Sequence, residues 1–179
     1  DIKKLSESKN NQGIIAVVNI EAPTQVEYIN KNQLIIDSIS DPGNLGNIMR
    51  SADWFNLKDI YLSENSVDPY NSKVIRSAMG AHFYLNIFEI NIIHHIKKLK
   101  EKKFKIIGAN IKGESLYDWT IPSKWALVLG NEAHGISNEV NNLIDYNISI
   151  PQKGNVESLN VSTAGGIILS HIVSNEKDK

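Results

Sequence analysis

The sequence predicts an α/β fold, a parallel sheet sandwiched by helices on both faces. Three observations carry that expectation. Short apolar runs rich in β-branched residues recur through the 179 residues. Several are continuous rather than alternating, as strands covered on both faces are. Amphipathic stretches of helical period lie between them, and strand–helix alternation implies right-handed crossovers.

Taken in order, the expected strands are 14–18 (IIAVV), 34–39, 59–62, 105–109, 126–129 and 146–150. The expected helices are 44–55, 92–103, 137–143 and 158–174. In the second of these, Ile92, Ile93, Ile96 and Leu99 fall on one face. The first dozen residues are polar and end in Gly13, the pattern of a linker. Residues 1–20 are therefore expected to be a linker or the tail of an absent N-terminal domain, and 21–179 one domain. The length suits a single core.

Composition narrows the function classes. There is no cysteine, so disulfides and cysteine-ligated zinc are excluded and a reducing, cytoplasmic compartment fits. No metal is expected. No apolar run approaches the roughly 18 residues of a membrane span, so no membrane association is expected. Net charge is −1, low for a protein that grips nucleic acid with its whole surface. A local patch must then carry any phosphate binding. The run 94–105, HHIKKLKEKKFK, is the densest in positive charge, though such a run also reads as a solvated helix face. Of 19 basic residues 17 are lysine; Arg50 and Arg76 are the only arginines. A planar, permanently charged fork is a different tool from a lysine, so both merit tracking.

Three loops carry candidate chemistry. The first, 41–55 (DPGNLGNIMRSADWF), follows a strand. Asp41-Pro42-Gly43 signals a turn, Asn44 can cap the helix, and Gly46 lets another backbone approach. Arg50 follows Asn44 by under two helical turns. The second, 127–137 (LVLGNEAHGIS), ends a buried strand at Gly130, turns through Gly135 and places Glu132 at the strand's carboxyl end. It matches neither the phosphate-loop nor the dinucleotide-binding pattern. The third, 148–166, ends a strand at Ile150-Pro151 and opens the last helix with Ser158-Leu159-Asn160-Val161-Ser162. Ser158 or Asn160 can cap that helix. Gly165 and Gly166 each cost about 1 kcal/mol of helix propensity relative to alanine, which implies tight packing or a close ligand.

In this order and spacing the three segments resemble the signature motifs of the SpoU (TrmH-like) RNA ribose methyltransferases of the SPOUT superfamily. The matching pieces are Asn44-x-Gly46-x-Ile48-x-Arg50, then Gly130-x-Glu132-x-x-Gly135, then Ile150-Pro151 through Ser162. The likeness spans roughly residues 33–172. Asn56 stands where the family often has glycine, and His134 occupies a variable slot.

The resemblance implies a C-terminal deep trefoil knot, which no periodicity could reveal. It implies S-adenosylmethionine as cofactor, contacted at Gly130, Ile150 and Leu159. It implies that Arg50 acts on the ribose 2′-hydroxyl or its neighbouring phosphate, with Asn44, Glu132, Ser158 and Asn160 completing the catalytic group. Arg76, within 73–81, falls where the family often has an RNA-facing element; as a bare sequence it is equally a surface arginine. A homodimer is expected, and RNA as partner, ribosomal RNA ahead of transfer RNA. The competing readings are a transfer-RNA enzyme, a catalytically silent RNA-binding assembly factor on this scaffold, and a generic nucleotide-binding fold.

Overall fold

A computed structural model of the chain describes residues 13–20 and 32–175. Its order is β1 (Gln33–Ile36), α1 (Pro42–Trp54), β2 (Asp59–Leu62), α2 (Ser72–Ala78), a 3-10 turn (Ala81–Phe83), β3 (Asn86–Glu89), α3 (Ile92–Glu101), β4 (Lys105–Ser115), β5 (Trp125–Leu129), α4 (Asn138–Asn141), β6 (Tyr146–Ser149) and α5 (Val161–Asn175). Six strands form one sheet in the order β3-β2-β1-β5-β4-β6. Every pairing is parallel.

Because β1 and β5 carry no polar face, both sides of the sheet must be covered. Leu34 and Ile36 of β1 point into one core, with Leu45, Ile48 and Met49 of α1 and Ile168, Leu169 and Ile172 of α5. Ile35 points into the other, with Tyr61, Val128 and Ile92, Ile96 and Leu99 of α3. The period-2 alternation of a strand thus feeds two layers from one apolar run. Trp125 is wholly buried at the start of β5.

Helix α1 begins earlier than the periodicity suggested. Its cap is Asp41, whose Oδ1 accepts from the Asn44 backbone N–H at 2.8 Å. Pro42 takes the first helical position, where its missing N–H costs nothing. Asn44 is not the cap, which frees its side chain for another use. Gly46 lets α1 and α2 touch: a Cβ there would overlap Ser77 Cβ and lie 2.7 Å from the Val74 carbonyl oxygen.

Four expectations need correction. Residues 14–18 form no strand; Val17 is 96% exposed and no strand among the described residues pairs with the run, and β-branched composition makes a strand only where a partner covers it. The edge strand β3 escaped notice because only Ile87 and Phe88 of its four residues are buried. Strand β4 runs on to Ser115, with a register shift between Ala109 and Glu114 that the apolar pattern could not show. Helix α5 starts at Val161, not 158. The expected linker at 1–12 and the start of the expected catalytic domain at 21 lie outside the described residues. Among the described residues no helix is long and apolar enough to cross a membrane.

Candidate active site

Strand order reverses between β1 and β5, and the crevice above their carboxyl ends is where open α/β sheets bind ligands. The loops after β1, β5 and β6 all emerge on this side. The buried Asn44 joins them: its Nδ2 donates to Glu132 Oε1 at 3.0 Å, and its Oδ1 accepts from Asn160 Nδ2 at 2.8 Å. One side chain therefore bridges the first loop to the second and the third.

Each end of the bridge is anchored. Glu132 accepts from the Asp41 backbone N–H at 3.2 Å, and from the Ser40 N–H at 3.3 Å and hydroxyl at 3.2 Å. Burial pushes the Glu132 carboxyl up, but Asn44 and the surrounding backbone donors outweigh it and hold it below its ordinary 4.5. It is a fixed carboxylate. Asn160 caps α5, its Oδ1 accepting from the Ser162 N–H at 2.9 Å, the Ser162 hydroxyl at 2.6 Å and the Thr163 N–H at 3.3 Å. Asn160, not Ser158, is thus the capping residue. Ser158 is exposed and stands apart from this network.

Arg50 sits a turn and a half beyond Asn44 on α1. It is exposed and makes no hydrogen bond or ion pair among the described residues. It borders an open cleft of about 400 Å³ with Asn47, Ser51, Trp54, Phe55, Ser162 and Thr163. A cation held on a rigid helix with nothing to neutralise it is positioned to meet an anion from solution. Arg76 is exposed in the last turn of α2, outside the Asn44 network.

Of the expected cofactor contacts, Gly130 is buried at the end of β5, Ile150 is half-buried one residue past β6, and Leu159 is 47% exposed. Strands β5 and β6 flank β4, so Gly130 and Ile150 sit two strands apart on the same edge, about 10 Å. Gly130 serves its own loop first: a Cβ there would overlap the Gly135 and Ile136 backbone. Gly135 closes that turn at φ +70° through paired backbone bonds with Asn131. Leu159 and the nearby Val156 expose apolar side chains on the loop between β6 and α5. Backbone groups and uncharged apolar side chains fit an adenosyl group, whose base needs no counter-charge.

Sequence reasoning missed two framing residues. Asp37, nearly fully buried, accepts from the Ser137 N–H at 2.7 Å, and Asn131 donates to the Ser38 carbonyl at 2.7 Å while its Oδ1 accepts from the Ala133 and His134 amides. Together they lock the second loop to the end of β1. The available signal was Asp37 itself, an acid directly after the apolar run 34–36.

Comparison with known proteins agrees with this geometry. The model of the SpoU rRNA Methylase family matches residues 31–170. A Bacillus subtilis protein named 23S rRNA (guanosine(2553)-2′-O)-methyltransferase RlmP is 32% identical over 169 residues, 94% of this chain and 67% of its own length. The solved structure of a putative TrmH-family RNA methyltransferase from Porphyromonas gingivalis superposes with TM-score 0.84 at 31% identity, covering 96% of this chain and 70% of that one. The SpoU methyltransferase AviRb from Streptomyces viridochromogenes, solved in complex with the cofactor AdoMet, superposes with TM-score 0.75 at 28% identity over 81% of this chain and 60% of that one. By the span of the family model and by these likenesses, the chain belongs to the SpoU rRNA methylase family.

Proposed function

We propose that this chain transfers the methyl group of S-adenosylmethionine to a ribose 2′-hydroxyl of ribosomal RNA. The observation that carries the reading is Asn44, hydrogen-bonded at once to Glu132 and Asn160, which assembles all three motif loops beside an unpaired Arg50. A relative named as a 23S rRNA 2′-O-methyltransferase and an AdoMet-bound neighbour support the substrate and the donor.

The cofactor supplies a methyl already made electrophilic by its sulfonium. What remains for the protein is alignment of the hydroxyl and stabilisation of the oxygen as its proton passes to solvent water. Arg50 does both: its fork grips the phosphate beside the target ribose and faces the developing oxyanion. An arginine keeps its proton at any ordinary pH, so it acts as a donor and a charge rather than a base. Glu132 is consumed by Ser40, Asp41 and Asn44 and acts as a positioning residue. Gly130, Ile150 and Leu159 would hold the donor, and Ser158, next to Leu159 on the loop between β6 and α5, would help hold that loop in place.

The same reading includes a homodimer, a C-terminal trefoil knot and a cytoplasmic site of action. The dimer is supported by an open groove of about 590 Å³ along α5, lined by Gly166, Ile167, Ser170 and His171 together with Tyr117. The knot is supported by the route of the chain: it leaves β6 at the sheet edge, yet α5 packs back on Leu129 of β5, through Gly165, and on α1. Incubation with methyl-labelled S-adenosylmethionine and separated ribosomal and transfer RNA, followed by mapping of 2′-O-methyl positions, tests the function. Label in ribosomal RNA is expected. Label only in transfer RNA overturns the target, and none in either overturns the reading.

A further inference from the structure

Two of the chain's three tryptophans are core residues: Trp119 is 7% exposed and Trp125 wholly buried. Trp54 is 82% exposed. A tryptophan spends more apolar area in water than any other side chain when left uncovered, so an exposed one on a rigid helix invites an occupant. Its position selects that occupant. Trp54 closes α1 four residues after Arg50, so the two side chains are neighbours on one helix face, with Cβ atoms about 5–6 Å apart. Both line the 400 Å³ cleft, whose lining holds one cation and no carboxylate. The nearest acid in sequence, Asp53, is tied to Lys58 at 3.1 Å and does not neutralise Arg50. A flat aromatic face beside an uncompensated guanidinium complements a base and its phosphate, the pairing by which single-stranded nucleic acid is held.

We infer that Trp54 is a stacking platform for an unpaired RNA base adjoining the nucleotide whose phosphate Arg50 grips. The inference rests on the RNA-directed function proposed above and adds a demand on the substrate: the target nucleotide lies in, or is opened into, a single-stranded stretch. Every base has a face to stack, so Trp54 confers grip and positioning with little preference for base identity.

The test uses the whole chain at low salt and two oligomers of equal charge, dodecauridylate and its abasic counterpart. Dodecauridylate is expected to quench the exposed-tryptophan fluorescence, and the abasic oligomer to bind more weakly without quenching. Trp54→Ala is expected to weaken dodecauridylate binding by roughly 5- to 100-fold, the range of base–aromatic stacking, and to leave abasic binding unchanged. Trp54→Phe is expected to recover most of the loss. Equal affinity of Trp54→Ala and the parent for dodecauridylate overturns the inference. So does a dimer-to-monomer change in Trp54→Ala by light scattering, which gives the face to a second copy of the chain. Stabilisation by S-adenosylmethionine in the same preparations is read separately: its absence in the parent counts against the function, whereas its presence with unchanged RNA binding counts against Trp54 alone.

Discussion

Arg50 and Asn44 share a helix and divide the labour. One is exposed and unpaired, the other buried and bonded at both ends. Replacing Arg50 with Lys keeps the charge and removes the fork. Turnover is expected to fall about 10²-fold, as when one oxyanion donor is lost, with the thermal shift from S-adenosylmethionine retained; near-normal turnover would show that a point charge suffices. Asn44→Ala has a different signature. It strips a partner from Glu132 and from Asn160 together, so about 1–3 kcal/mol of stability and the cofactor-induced shift should both decline in denaturation curves. Asn44, Arg50, Glu132 and Asn160 were legible through the resemblance of their loops to the SpoU motifs, and the structure links Asn44 to Glu132 and Asn160 by hydrogen bonds, with Arg50 on the same helix as Asn44. Asp37 and Asn131 were not, because their worth depends on partners such as Ser137 and Ser38, about a hundred positions away.

At the level of elements, α1 shows what a sequence pattern conveys and where it stops. Its apolar stripe is plain, but the true cap, Asp41, hid behind the proline–glycine turn. Asp41→Ala is expected to cost about 1 kcal/mol in urea denaturation while leaving the Asn44 bridge to Asn160 intact, which separates capping from loop assembly. The contact of α1 with α2 is equally specific. Gly46→Val must push apart Ser77 and the Val74 carbonyl, and a loss of about 1–3 kcal/mol is expected, with Ala intermediate. Strand β3 and the far half of β4 were illegible for one reason: edge and bulged strands are defined by what they pair with, and their own residues carry a weak apolar signal.

The whole molecule carries a proton-linked term far from the site. His95 of α3, 1% exposed, has its Nε2 2.8 Å from Gln33 Oε1 and its ring stacked on Tyr61 at 3.9 Å. Burial, then the neighbouring His94 and Lys98, lower its pKa from 6.5 to about 4. The unfolded chain therefore binds a proton near pH 6.5 that the folded chain refuses until about pH 4. The stabilisation is complete above pH 6.5 and is lost as pH falls towards 4, by about 1.4 kcal/mol per unit at most. Melting temperature should drop between pH 7 and 5, and His95→Gln should flatten that slope from a lower starting point; an unchanged slope would assign the acid sensitivity elsewhere. At this scale the parallel, two-faced sheet was legible from its continuous apolar strands, while the placing of the strand-order reversal was not. That reversal brings the bridge at Asn44 into being, and the bridge has a polarity. Asn44 presents its donor end to Glu132 and its acceptor end to Asn160, so an aspartate in its place would repel one partner and a flipped amide would fail both. Substitutions at positions 44, 132 and 160 are therefore expected to be energetically coupled. A chimera that borrows any one of these loops from a differently wired relative would keep its sheet and come apart at its site, and loop exchange between relatives should carry all three together.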